Sequence, residues 1–330
     1  MSGGVRSLCL VAGVVGASLA LIVSLKFAAV TGQPTYGATF SPDYARAFGV
    51  DAGQAYMAVL DDLGVRQVRL PLQWYSLQPT PDEINFADID WYVDQAARRN
   101  VKVILVVGNK VPRWPECYTP GWASALPQAE YEAALLDYVD QVVTHYRNVP
   151  VLQRWQVENE PLFAFGRCPK IDYSLVKREI AHVRALDDVH PIELTVSGEQ
   201  QLWASVATEA DVIGTSLYRH AALPNGWRFT FPIPPRWYSL QALSVSLFTH
   251  QVVISELQAE PWLVPDYRVY SLDEAVALFT PDDLADAFRF AHRTGIKEIS
   301  LWGVEWWYYL KQNGHPELWE AGKQLLKTKN

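Results

Sequence analysis

The segment Trp155-Gln-Val-Glu-Asn-Glu-Pro161 sets two carboxylates and an amide at the end of an apolar run and then stops at a proline. Acidic side chains seldom end a buried strand for structural reasons alone. A second segment, Gln251-Val-Val-Ile-Ser-Glu256, is also an apolar run closed by an acid. Two carboxyl groups flanking one bond can divide the work of breaking it. One attacks as a nucleophile; the other protonates the leaving oxygen and later takes a proton from water. Cleavage of a glycosidic bond with retention needs such a pair ~5 to 5.5 Å apart.

Other chemistries lack their residues. The seven histidines, at 145, 182, 190, 220, 250, 292 and 315, form neither His-x-His nor His-Glu-x-x-His, so no metal site is expected. No Gly-x-Ser-x-Gly elbow is present. No Gly-x-Gly-x-x-Gly follows the first strand, and no cofactor is expected. A net charge of −8 without a basic cluster argues against a nucleic-acid partner.

The elements that must position Glu160 and Glu256 follow from the hydrophobic pattern. Eight short runs read as strands: Tyr36–Phe40, Gln67–Leu70, Lys102–Val107, Gln153–Val157, Glu193–Val196, Val212–Ser216, Val252–Ser255 and Glu298–Leu301. They are often β-branched, as expected of strands buried on both faces. Helical patterns lie between them, among them Phe86–Arg99 and Gln128–Tyr146, with Pro316–Lys327 closing the chain. Thr280 followed by Pro281-Asp-Asp is a helix start: an N-cap, a proline at the first position and acids in the first turn. Eight strand-then-helix units in about 300 residues predict an α/β fold of the (β/α)₈ TIM-barrel type, one domain over residues 33–330. In a closed eight-strand barrel, strands four and seven face each other across the mouth. Long loops after strands three, four, six and seven, such as Pro112–Pro127 and Ala222–Pro235, lie on the side where such barrels build their sites.

On these residues the chain resembles clan A of the glycoside hydrolases, the retaining (β/α)₈ enzymes that include family 5, from about Tyr36 to the C-terminus. Asn159-Glu160-Pro161 matches the clan's acid/base motif at the end of strand four, and Glu256 its nucleophile at the end of strand seven. "VRLPLQW", Val68–Trp74, resembles the strand-two segment whose arginine lies near the nucleophile, here Arg69. Tyr218 in "GTSLYR" matches the tyrosine that hydrogen-bonds the nucleophile, and Trp302 the sugar platform ending strand eight. The resemblance implies a retaining β-glycosidase acting on a carbohydrate. Asn159 is then expected to bond a sugar 2-hydroxyl. Tryptophan faces pack on sugar rings, and the chain has 13 Trp. Trp74, Trp114, Trp122, Trp262, Trp306 and Trp307 are candidates for such contacts, and Glu305 and Glu260 for bonds to hydroxyls. The chain departs from the clan in two places. "VVGNKVPRWPE" stands after strand three without the histidine that family 5 carries there, and Glu158 stands where the clan is usually apolar. By strand alternation Glu158 points to the same side as Glu160.

Ser7–Leu25 is a 19-residue run without a charge, bounded by Arg6 and Lys26. As a helix it would span about 28 Å, close to the roughly 30 Å of a bilayer core. No Ala-x-Ala site follows it, so an uncleaved membrane anchor in residues 1–32 is expected over a cleaved secretory signal. Cys117 and Cys168 fall in loops after strands, where either a disulfide or two separate thiols would fit. The expected location is extracytoplasmic, anchored or secreted. Two other readings share these residues: a transglycosylase acting on a cell-surface glycan, and a barrel that binds carbohydrate without cleaving it.

Overall fold

Strand sequences such as Gln67-Val-Arg-Leu, Arg154-Trp-Gln-Val, Glu193-Leu-Thr-Val and Glu298-Ile-Ser-Leu alternate polar and apolar residues. Successive side chains of a strand point to opposite faces. In the computed structural model, which describes residues 33–169, 172–222, 227–249, 251–262 and 270–327, the apolar set faces outward onto helices and the polar set faces the axis. From Pro34 the chain forms one compact unit.

Eight parallel strands close a barrel: β1 Thr35–Thr39, β2 Gln67–Pro71, β3 Lys102–Val107, β4 Leu152–Val157, β5 Ile192–Val196, β6 Val212–Leu217, β7 Gln251–Gln258 and β8 Glu298–Trp302. Each pairs with its neighbours in sequence, and β8 returns to β1. Every expected strand is present within three residues at each end. The helix Gln128–Tyr146 has the expected bounds, and Thr280 caps Pro281–Arg293 in a reciprocal box with Asp283. A small antiparallel hairpin, His220–Ala222 with Arg228–Thr230, sits in the loop after β6.

The strands are buried on both faces, with a polar set on the inner one. Arg154 donates to Glu193 and Glu298 in one layer, where Gln67 and Gln251 also bond Glu298. Above it, nearer the mouth, Arg69 bonds Gln156 and Thr39. Buried charges persist because each has its partners in place.

One irregularity decides where the second acid points. Against β6, Thr215 pairs with Ile254 but Ser216 pairs with Glu256; against β8, Ile299 pairs with Ile254 and Leu301 with Leu257. β7 therefore holds one extra residue relative to both neighbours, a bulge at Ser255–Glu256. It turns two consecutive side chains inward. The Ser255 hydroxyl donates to Glu193 at 2.6 Å, Glu256 meets Arg69, and Ile254 and Leu257 both join the outer core. Gly214 of β6 makes the room: a Cβ there would lie 2.0 Å from the Ser255 hydroxyl.

The run Ser7–Leu25 lies outside the described residues. Among the described residues no helix is long and apolar enough to cross a membrane.

Candidate active site

β4 ends at Val157, and the chain then leaves the strand through two residues in left-handed backbone, Glu158 (φ 57°) and Glu160 (φ 44°). Non-glycine residues rarely sit there, and the conformation costs about 1 to 3 kcal/mol each. The turn separates the two acids, which corrects the expectation that they share a side. Glu158 turns back to accept the backbone N–H groups of Asn109 at 2.7 Å and Lys110 at 2.6 Å, and it meets Glu179 of the helix Tyr173–Leu186. Gly108 permits this approach, since its φ is 121° and a Cβ would lie 2.4 Å from the Glu158 carboxylate. Glu160 instead faces the barrel mouth. Its own N–H donates to the Thr195 hydroxyl of β5 at 2.7 Å.

Glu256 meets it there. Arg69, fully buried, donates from Nη1 to Glu256 Oε1 at 2.9 Å and from Nη2 to Asn159 Oδ1 at 2.7 Å. One guanidinium thus joins the acid of β7 to the residue preceding Glu160. The Tyr218 hydroxyl donates to the other oxygen of Glu256 at 3.1 Å. A guanidinium only donates, so the Asn159 amide must turn its oxygen to Arg69 and its NH₂ the other way. Burial first, then the charges of Glu256 and Glu116, push the Glu160 carboxyl well above the usual carboxylate range; Lys110 and the Ser216 hydroxyl oppose the rise. Glu160 therefore holds its proton while Glu256 accepts from two donors.

Glu116 has no counterpart among the residues singled out from sequence. It lies in the loop after β3, buried, with Lys110 Nζ 3.3 Å from its carboxylate. Burial and the nearby Glu256 push it up to about 8, against the pull of Lys110. Lys110 also donates to the backbone carbonyls of Glu160 and Phe163, tying the two loops together. Glu160 keeps one buried carboxylate oxygen without a hydrogen-bond partner, and the buried Glu116 oxygen faces Lys110 Nζ. The only sequence signal for Glu116 was its loop, which also carries Cys117. The sulfurs of Cys117 and Cys168 are joined in a disulfide that fastens this loop to the one after β4.

Several aromatic and acidic candidates stand elsewhere. Trp74 is wholly buried against Trp122, Tyr131 and Tyr138, so it is a correction: it packs the helical layer and reaches no substrate. Trp306 and Trp307 are likewise core. Glu305, fully buried, accepts from the Ser41 N–H and from Arg113, which corrects its expected role as a sugar contact. Glu260 accepts from Arg113 and Tyr44. Trp302 ends β8 at the mouth, but the Arg113 guanidinium covers one of its faces at 4.0 Å. Trp262 packs edge-on against Tyr218 and Phe165, and Trp114 is exposed at the tip of its loop. Among the described residues no group of three or more His, Cys, Asp or Glu could hold a metal ion.

The family profile described as glycosyl hydrolase family 10 matches residues 69–174, a stretch that holds Arg69, Glu116, Asn159 and Glu160 but stops short of Glu256. No curated protein sequence matches the chain significantly. Among solved structures, a β-galactosidase from Bacillus circulans sp. alkalophilus superposes with a TM-score of 0.61 at 11% identity, over 90% of this chain and 56% of that one. Native xylanase 10B from Thermotoga maritima gives 0.57 at 15% identity, over 90% and 96% of the two chains. A GH5_18 protein from Streptomyces cattleya in complex with GlcNAc gives 0.54 at 13%, over 82% and 70%. This chain thus spans little more than half of the galactosidase's length. The family match covers less than half of the chain, and the superpositions show that the barrel fold is shared.

Proposed function

We propose that this barrel is a retaining β-glycoside hydrolase in which Glu256 is the nucleophile and Glu160 the acid/base. The observation that carries the reading is Arg69, whose two Nη atoms reach Glu256 and the neighbour of Glu160 at once. In the first step the Glu256 carboxylate attacks the anomeric carbon, and Glu160 gives its proton to the departing glycosidic oxygen. Loss of that proton leaves Glu160 as the base for the second step. It takes a proton from the water that cleaves the glycosyl ester and is restored, while Glu256 leaves as a carboxylate. The Asn159 NH₂ bonds the 2-hydroxyl of the sugar, a contact that strengthens as positive charge develops on the ring. Tyr218 and Trp262 offer aromatic surface beside the reacting centre.

The disulfide supports an oxidising, extracytoplasmic setting for the domain, with Ser7–Leu25 as its membrane anchor; membrane fractionation with and without that run tests the anchor.

The mechanism has a chemical test. Glu256→Ala is expected to abolish turnover of aryl β-glycosides, and azide to restore part of it with a glycosyl azide of inverted configuration as product. Full activity in that variant, or a rescued product that retains its configuration, overturns the assignment. Product analysis with added acceptor sugar separates hydrolysis from transfer.

A further inference from the structure

We propose that Glu199, in the loop after β5, is a positioning residue for the nucleophile: its carboxylate holds the end of β6 so that Tyr218 keeps its hydroxyl on Glu256. The inference rests on the hydrolase reading above and adds a residue to its machinery.

β6 ends at Leu217, whose ladder partner is Leu257 of β7. One residue further on, the Tyr218 N–H lies past the ladder and must find its acceptor elsewhere. Glu199 supplies it: its Oε1 accepts the Tyr218 N–H at 2.8 Å. The same oxygen accepts the hydroxyl of Tyr238, on the helix Pro235–Val245, and Oε2 accepts the Ser216 hydroxyl at 3.4 Å. One carboxylate thus joins two residues at the end of β6 to the helix that follows it. The loop after β5 can come this close because residue 198 is glycine: a Cβ there would lie 2.1 Å from the Ser216 carbonyl oxygen. The Gly198 N–H donates to the Ser216 hydroxyl at 3.2 Å, and its carbonyl accepts the Trp237 indole N–H at 3.2 Å.

The next two residues are fixed from the other side. Gln258, the last residue of β7, accepts the Arg219 and His220 N–H groups at 2.9 Å each and donates from its amide to the His220 carbonyl at 2.8 Å. Residues 218–220 are therefore held between a carboxylate beyond β5 and an amide on the strand that carries Glu256. Both contacts bear on the backbone and leave the Tyr218 side chain to reach Glu256 Oε2 at 3.1 Å. Gln258 ties this segment to β7; Glu199 sets where Tyr218 enters it. Without an acceptor at position 199, the Tyr218 N–H and the buried Tyr238 hydroxyl lose their partner, and the chain at Tyr218 must shift to pair them.

The test is a double-mutant cycle. Its readout is the rate at which 2-deoxy-2-fluoro-β-glycosyl fluorides of glucose, galactose, mannose and xylose label Glu256, which reports the attack of the nucleophile, with kcat/KM on the matching aryl β-glycosides beside it. Glu199→Ala and Tyr218→Phe are each expected to slow labelling by roughly ten- to a hundredfold, the worth of a bond to a charged group. The double variant is expected to label no more slowly than the slower single one. Glu199→Gln keeps an acceptor oxygen for the Tyr218 N–H and should label within about threefold of wild type. Losses that multiply in the double variant, or a Glu199→Ala protein labelled at the wild-type rate, overturn the positioning role and leave the hydrolase reading standing. Should Glu199→Ala not fold, Tyr238→Phe, which takes one donor from Glu199, enters the same cycle with the same two outcomes. A wild-type protein that is neither labelled by nor active on any member of the panel overturns both.

Discussion

Glu158, Glu160 and Glu116 are three buried acids within one small volume, and their environments give each a different task. Glu158 serves two backbone N–H groups, so a glutamine there would set an amide donor against a donor. Glu158→Gln is expected to cost about 2 kcal/mol of stability, measured by denaturant unfolding. The folded fraction should cleave substrates with good and poor leaving groups in the wild-type ratio. Glu160→Ala should instead slow poor leaving groups far more than activated aryl glycosides. The reverse pattern would exchange the two roles. Glu116 raises Glu160 electrostatically and is itself pushed up to about 8. Above about pH 8, where Glu116 is ionised, removing its charge should let Glu160 lose its proton sooner. Glu116→Gln is expected to move the alkaline limb of kcat/KM to lower pH by on the order of one unit. The stability effect has a definite sign as well. Folded Glu116 holds its proton to about 8 against an ordinary 4.5, so its contribution is whole below the lower value and is lost as pH rises through the upper one. Glu116→Gln should flatten that limb of a stability–pH curve.

At the scale of elements, the strands were legible and their detail was not. Alternation in Gln67-Val-Arg-Leu or Glu298-Ile-Ser-Leu marks a strand with one face on an apolar layer, and each such run is a barrel strand. The bulge in β7 breaks that alternation. A strict period of two would turn Glu256 away from the axis once Ser255 faces it, and nothing in "VVISEL" announces the extra residue. The loop after β3 was legible only as long and rich in proline. Its path across the mouth depends on Arg113 finding two acids more than a hundred residues away. The Cys117–Cys168 link closes a chain separation of 51 residues. Replacing both cysteines with serine is expected to cost about 3 kcal/mol in denaturant unfolding. The same loss should appear in the wild-type protein under reductant. Stability unchanged by either treatment would mean that the loop is held by its hydrogen bonds and ion pairs alone.

For the whole molecule, the barrel encloses charge along its axis, and the candidate site lies at one end of it. Arg154 with Glu193 and Glu298 forms a lower layer bonded through Ser255 to the strand that carries Glu256. Removing one member leaves its partners buried and uncompensated. Arg154→Met is expected to destabilise the protein by about 3 to 5 kcal/mol, read from thermal or denaturant unfolding. Protein that remains folded should keep its kcat, since Arg154 touches none of the reacting groups.

The sequence by itself determined the barrel, because strand and helix periods are local and eight of them leave few ways to close. It also put Glu160 just past strand four and Glu256 toward the end of strand seven, while the resemblance to a known clan supplied Arg69 and Tyr218 as their neighbours. Tertiary structure alone decided which acids face the mouth and which tryptophans do. Trp74 and Glu305 read as site residues by type and position, yet packing buries both away from any substrate. Glu116 read as nothing, yet it lies buried beside Lys110 and acts electrostatically on Glu160. The physical reason is that facing and burial are set by groups distant in sequence: a bulge between two neighbours, a guanidinium across the ring, and a disulfide between loops.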